Sequence, residues 1–146
     1  MRPEVKIKKL VPEAILPTYG SEYAAGADLY AVLEETLEIQ PHTTVKIHTG
    51  LSMEIPLGYV GLIYARSSMG TKQGLAPANK VGVIDCDYRG EVMVCLHNHS
   101  NTVQCVEPKQ RIAQIVITPY LHVNFMEADE LSDTVRGEGG FGSTGK

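Results

Sequence analysis

Residues 44–55 read TVKIHTGLSMEI. Val45, Ile47, Leu51, Met53 and Ile55 fall on one side of an extended chain, and Lys46, His48, Ser52 and Glu54 on the other. A strand alternates its side chains with a period of two, so the stretch predicts a half-buried β-strand. Pro41 and Pro56 bracket it, and Pro56-Leu57-Gly58 predicts a turn into a second strand over 59–64. Toward the N-terminus, Val5 and Ile7 alternate with Lys6 and Lys8 over 4–10, while Pro12, Pro17 and Gly20 make 11–23 an irregular connection. Toward the C-terminus, 92–96 and 109–117 are apolar ribbons, the second interrupted by Arg111 and Gln114 and stopped by Pro119. Val123 and Phe125 continue the β pattern. No stretch carries a sustained 3.6-residue stripe. The expectation is an all-β chain of short strands and regular turns, built as a sandwich or jelly roll.

The totals narrow the function. At 146 residues, 43% of them hydrophobic and 21% charged, the chain has the composition of one soluble globular domain. A formal net charge of −4 argues against a general nucleic-acid binder, which needs a basic face. An anionic small ligand is compatible, because local arginines decide that. No apolar run approaches membrane-spanning length, and MRPEVKIKKL lacks the apolar centre of a signal peptide. Cys86, Cys95 and Cys105 are odd in number and form no C-x-x-C pair, which points to a reducing, cytoplasmic setting, or a nuclear one in a eukaryotic or viral context.

Several stretches could carry chemistry. Asn79–Glu91, NKVGVIDCDYRGE, runs through β-branched residues to two carboxylates, a phenol and a guanidinium within five positions. It reads either as an ordinary strand with a polar turn or as a strand whose main chain, open at Gly82, is a recognition surface. Asp28 sits alone among small residues in AAGADLYA (24–31). Arg66-Ser67-Ser68 follows the strand at 59–64, where a helical turn would aim N–H groups and hydroxyls at an anion beside a guanidinium fork. Its plainer reading is a capped turn with a surface arginine. His97 and His99 share a strand face, yet no third ligand stands at matching spacing. Gly140–Lys146 spells G-x-x-x-x-G-K, but the strand, hydroxyl and helix that frame a P-loop are not in this sequence. The run from Arg136 is nearly devoid of apolar residues and is expected to be mobile until something binds.

Together these pieces resemble the trimeric dUTPase family (deoxyuridine triphosphate nucleotidohydrolases). The five ordered motifs stand here as AGADLYA (25–31), ARSSMG (65–70), VGVIDCDYRGE (81–91), QRIAQI (110–115) and RGEGGFGSTG (136–145), spanning nearly the whole chain. Lys109 departs from the family, standing where many members have glycine.

The resemblance implies a distorted jelly roll of the dUTPase-like β-clip type, with at most one short helix. It implies a catalytic core over 1–131 and a flexible Gly-rich lid arm over 132–146. The reaction would be hydrolysis of dUTP to dUMP and pyrophosphate by water attack at the α-phosphorus, limiting uracil in DNA and supplying dUMP for thymidylate synthesis. Asp85 would be the general base, with Gln114 and Ser67 assisting. Asn79, Gly82 and Val83 would read uracil, and Tyr88 would pack under the deoxyribose. Arg66, Ser67, Ser68 and Gln114 would hold phosphates. From the tail, Arg136 would take the terminal phosphate, Phe141 the uracil face, and Gly142, Ser143 and Thr144 the phosphate oxygens. Mg2+ would be carried mainly by the substrate phosphates, with Asp28 reached through water or bracing the arginine. The family implies a homotrimer with shared sites, and no nucleic-acid or membrane partner. A dCTP deaminase on the same fold and a non-catalytic dUTP-binding regulator are the alternatives; the hairpin at Tyr88 and the full tail motif argue against the first, and intact Asp85, Arg66, Gln114, Arg136 and Phe141 against the second.

Overall fold

A computed structural model of the chain describes residues 2–143. The stretch that predicted a strand forms β5 (Thr44–Glu54), the longest of the described strands. It pairs antiparallel with β1 (Lys6–Lys9) on one side and β9 (Glu91–Asn98) on the other, and β7 (Leu75–Pro77) completes a four-stranded sheet in the order β1-β5-β9-β7. A five-stranded sheet faces it, ordered β2-β3-β11-β6-β8, from β2 (Thr18–Tyr19), β3 (Ala27–Tyr30), β11 (Arg111–Pro119), β6 (Tyr59–Tyr64) and β8 (Gly82–Ile84). A small pair joins β10 (Gln104–Val106) to β4 (Leu37–Ile39). The result is the expected jelly-roll-style all-β fold, and its only described helical segment is a π-wound turn at Met69–Gln73.

The alternation in β5 survives an irregularity. Between His48↔Met93 and Ser52↔Glu91, β5 spends four residues where β9 spends two. Two extra residues preserve the parity, so Leu51 and Met53 return to the buried side with Ile47. Gly50 makes the detour at φ +67, and a Cβ there would lie 2.8 Å from Val11 and 2.9 Å from Ala14. Val92, Val94 and Leu96 of β9 face the same core, which Leu29, Ile39, Ile112 and Ile115 fill from the other layers. Asn98, fully buried at the end of β9, is saturated: its amide donates to the carbonyls of Ile39 and Thr102, and its Oδ1 accepts from the backbone and hydroxyl of Ser100.

Three expectations need correction. The strand expected over 109–117 is displaced to Arg111–Pro119, and Pro119 still pairs opposite Tyr59, where a strand end tolerates its missing N–H. Val123 and Phe125 do not continue the β pattern. They are 52% and 95% exposed in a segment with no partner strand, and an extended chain gains nothing without one. The connection at 11–23 contains β2, whose two residues are too few to show a period. Lys109 adopts φ +61, a left-handed conformation that glycine takes without strain.

Candidate active site

One cluster is built by strand register. Gln114 of β11 lies opposite Asp28 of β3 and Tyr64 of β6, so the first, second and fourth motifs meet across three adjacent strands. Asp28 is mostly buried, and its Oδ1 accepts from Arg66 Nε at 2.8 Å while Oδ2 accepts from Arg111 Nη1 at 3.2 Å. Gln114 donates to the carbonyl of Ala65 at 2.9 Å, and its Oε1 lies where a Cβ on Gly26 would sit, 2.2 Å away. The second motif therefore leaves β6 held between Asp28 and Gln114. Ser67 is exposed and Ser68 half-buried at the start of the helical turn, which Thr71 closes by donating to the Ser67 carbonyl at 2.5 Å. Buried Met69 anchors the turn to the core. Arginine, two hydroxyls and the leading N–H groups of a turn together suit a phosphate chain.

A second cluster lies along β8. This is the edge of the five-stranded sheet, so the main-chain groups on its outer side have no ladder partner there. Beneath it opens a cavity of about 430 Å³ lined by Asn79, Gly82, Val83, Thr44, Met93 and Cys95. Gly82 holds the strand close to Ile63 and to the Asn79 amide, at 3.2 and 3.6 Å from its notional Cβ. Val83, Ile84, Met93 and Cys95 also line an adjoining recess of about 220 Å³ that reaches Asp85 and Tyr88. Asp85 and Asp87 are exposed on the turn that follows, closed by Tyr88 N–H to the Asp85 carbonyl at 3.1 Å. Tyr88 folds across Gly90 to donate to the Glu91 carbonyl at 2.9 Å, and a Cβ on Gly90 would sit 2.4 Å from its hydroxyl.

The two clusters do not meet within one chain. Ile84 pairs with Gly61 in an antiparallel ladder, which puts Asp85 beside the start of β6, whereas Arg66 leaves its far end. Arg66 lies six positions beyond Val60, roughly 20 Å at about 3.3 Å per residue. The fifth motif stands apart again: Arg136 donates to the Gly139 carbonyl at 2.7 Å, Ser143 accepts from Gly140 N–H at 2.7 Å, and Phe141 is wholly exposed at φ +50 beside Gly142 at φ +86. Thr144 lies outside the described residues.

The profile of the family described as dUTPase matches residues 12–145. The chain belongs to the dUTPase family. The deoxyuridine 5'-triphosphate nucleotidohydrolase of Nautilia profundicola is 48% identical over 143 residues, covering 98% of this chain and 99% of that one. Its counterpart in a Picosynechococcus species is 47% identical over 141 residues, covering 97% and 98%. A variant dUTPase of Staphylococcus bacteriophage 80alpha, solved with dUpNHpp, matches at a TM-score of 0.88 and 27% identity over 98% of this chain and 99% of that one.

Within this dUTPase-family frame, two residues near the clusters escaped the sequence reading. Arg111 looked like a polar interruption in an apolar ribbon; its position opposite Tyr30 in the ladder makes it the second cation on Asp28. Tyr120 follows β11 and lies 4.0 Å from the Cys86 sulfur beside Asp85. That contact, then the charges of Asp85 and Asp87, raise its phenol above 10.0. No local pattern announces either, because both partners lie far off in sequence. His97 and His99 meet edge-on with ring centroids 4.5 Å apart, and His97 Nδ1 hydrogen-bonds to Thr44. Among the described residues no three His, Cys, Asp or Glu converge to hold a metal.

Proposed function

We propose that this dUTPase-family chain hydrolyses dUTP to dUMP and pyrophosphate in sites shared between copies. The observation that carries the reading is the pair of half-sites, a phosphate cradle at one end of β6 and a base slot with a free carboxylate at the other. Asp85 orients water against the α-phosphorus and takes its proton as the new P–O bond forms and pyrophosphate departs. Gln114 and Ser67 assist by holding the water and an α-phosphate oxygen. Arg66 and Ser68 neutralise and position the phosphate chain.

Selectivity comes from the second half-site. The unpaired edge of β8 offers main-chain donors and acceptors to uracil, with Asn79 beside it; cytosine reverses the pattern and mispairs. The narrow slot also refuses thymine's methyl group. Tyr88 packs under the deoxyribose, where a 2′-hydroxyl would clash.

Magnesium fits this chain as an ion brought by the substrate. Both oxygens of Asp28 already accept from guanidinium groups, so Asp28 would reach the ion only through one of its waters. When bound, magnesium supplies charge neutralisation of the triphosphate.

The assembly we propose is a homotrimer, with the core spanning 1–131 and the tail 132–146 closing as a lid over a neighbour's cleft. Support comes from the separation of Asp85 and Arg66 along β6, which a second copy would bridge. Leu121, Phe125, Met126 and Leu131 are each more than 85% exposed, an apolar load suited to cover by another copy. The proposed compartment is the cytoplasm; no helix of the described residues is long and apolar enough to cross a membrane.

The test is a product assay on a panel of nucleoside triphosphates with magnesium, beside Asp85→Asn. Pyrophosphate and dUMP from dUTP alone, lost in the variant, is the expected result. Ammonia from dCTP, or tight dUTP binding without turnover, would overturn it. Sedimentation at assay concentration should give a trimer; a monomer would overturn the shared site.

A further inference from the structure

The turn that carries Asp85 and Tyr88 is tied to β5 and β9 at two points, and the second leads on to a third contact. Ser52 donates its hydroxyl to the Arg89 carbonyl at 2.6 Å. Tyr88 donates to the Glu91 carbonyl at 2.9 Å. The Glu91 carboxylate is in turn held by Nδ1 of His48. His48 faces Met93 in the ladder, and Glu91, two residues from Met93 on the same face of β9, is its diagonal neighbour. Glu91 lines the recess of Asp85 and Tyr88 and, together with the 58% exposed His48 side chain, a second cavity that Gly50 and Lys109 also line.

We infer that His48 is a positioning residue for sugar selection, acting through Glu91 on Tyr88. Glu91 gives its carboxylate to His48 and its carbonyl to Tyr88, so the side-chain bond pins the first residue of β9, whose carbonyl Tyr88 uses. A tyrosine ring excludes a 2′-hydroxyl only while it is held in place, because a ring free to turn can yield to the larger sugar. Without His48, Glu91 is an unheld carboxylate beside Asp85, and the Tyr88 tether loses its anchor. Ser52 holds the other side of the same turn, so the hairpin as a whole stays closed. The inference rests on the reading of Tyr88 given above.

The experiment compares kcat/KM for dUTP with that for UTP in His48→Ala, His48→Asn, Tyr88→Phe, the double variant His48→Ala/Tyr88→Phe and Tyr88→Ala. His48→Ala should lower the dUTP/UTP ratio about tenfold, the scale of one lost hydrogen bond to a charged group, with the change in KM rather than kcat. His48→Asn, which keeps a donor near the position of Nδ1, should restore most of the ratio. Tyr88→Phe removes the tether directly, so the double variant should lose little more than either single one. Thermal unfolding midpoints should stay within a few degrees throughout, since His48 packs little of its surface. An unchanged ratio in His48→Ala, or effects of His48→Ala and Tyr88→Phe that simply add, would overturn the positioning role alone. A ratio unmoved in Tyr88→Ala would instead overturn the reading of Tyr88, and this inference with it.

Discussion

Asp28 and Arg66, separated by 38 positions in sequence, form one rigid pair: the carboxylate accepts from the guanidinium Nε at 2.8 Å, with both side chains largely withdrawn from solvent. Arg111 closes the other oxygen. The pairing fixes the plane of the Arg66 guanidinium, in which Nη1 makes only long contacts of 3.4 Å to the Ser68 hydroxyl and the Arg111 carbonyl.

Asp28→Asn tests that arrangement. The amide keeps the size but removes the charge that two guanidinium groups share. Charge-assisted hydrogen bonds contribute about 1.5–3 kcal/mol each, so a loss of about 2 kcal/mol in urea unfolding is expected. KM for dUTP should rise more than about tenfold while kcat falls less, because Arg66 loses orientation rather than contact. Unfolding and kinetics measured on one preparation separate the two effects.

Gly26→Ala should be mainly a functional lesion. The new Cβ meets Gln114 Oε1 at 2.2 Å, the far end of a side chain that can swing aside. Swinging breaks the bond to the Ala65 carbonyl and misplaces Gln114. Turnover should fall by at least about tenfold, with a stability cost of about 1 kcal/mol. A stability loss with normal turnover would place Gln114 outside the chemistry.

Phe141→Ala addresses the lid. Phe141 is wholly exposed in the chain alone, so its removal should leave the unfolding midpoint unchanged. Ordering backbone costs about 1–2 kcal/mol per residue. A base stacked on an aromatic returns about 1–3 kcal/mol, so the tail is expected to order only over bound triphosphate. The expected loss in kcat/KM is about tenfold or more, read by steady-state kinetics; unchanged kinetics would remove the tail from the mechanism.

His99 supplies a pH signature beside the loop of Asn79. Desolvation, then the positive charges of Lys80, His97 and His42, hold its imidazole below the ordinary 6.5. A proton therefore binds the unfolded chain more readily than the fold, and this residue's contribution to stability should be full above 6.5 and decline as pH falls below it. An NMR titration should place its midpoint below 6.5, and Lys80→Ala should move it upward. The ring is exposed at the surface, so the effect on overall stability should be small.

The fold class was legible because alternation is a local property. Val45 to Ile55 states which side of β5 is buried without reference to any other strand, and the detour at Gly50 leaves that message intact because its excess is even. The motifs were legible for a similar reason: a glycine that lets a backbone close, or a short run of Arg, Ser and Asp, carries its chemistry in a few adjacent residues. Their identities placed the chain in its family before any contact was known.

What the tertiary structure alone decided is which of those residues share a surface. Arg111 joins Asp28, and His48 reaches Glu91, through strand register; both depend on pairings across dozens of residues that no local pattern encodes. The same register separates Asp85 from Arg66 along β6 and leaves Val123 and Phe125 without the strand partner their alternation anticipated. Sequence periodicity reports the face a side chain prefers, whereas the distance between two faces is set by how the whole chain closes upon itself.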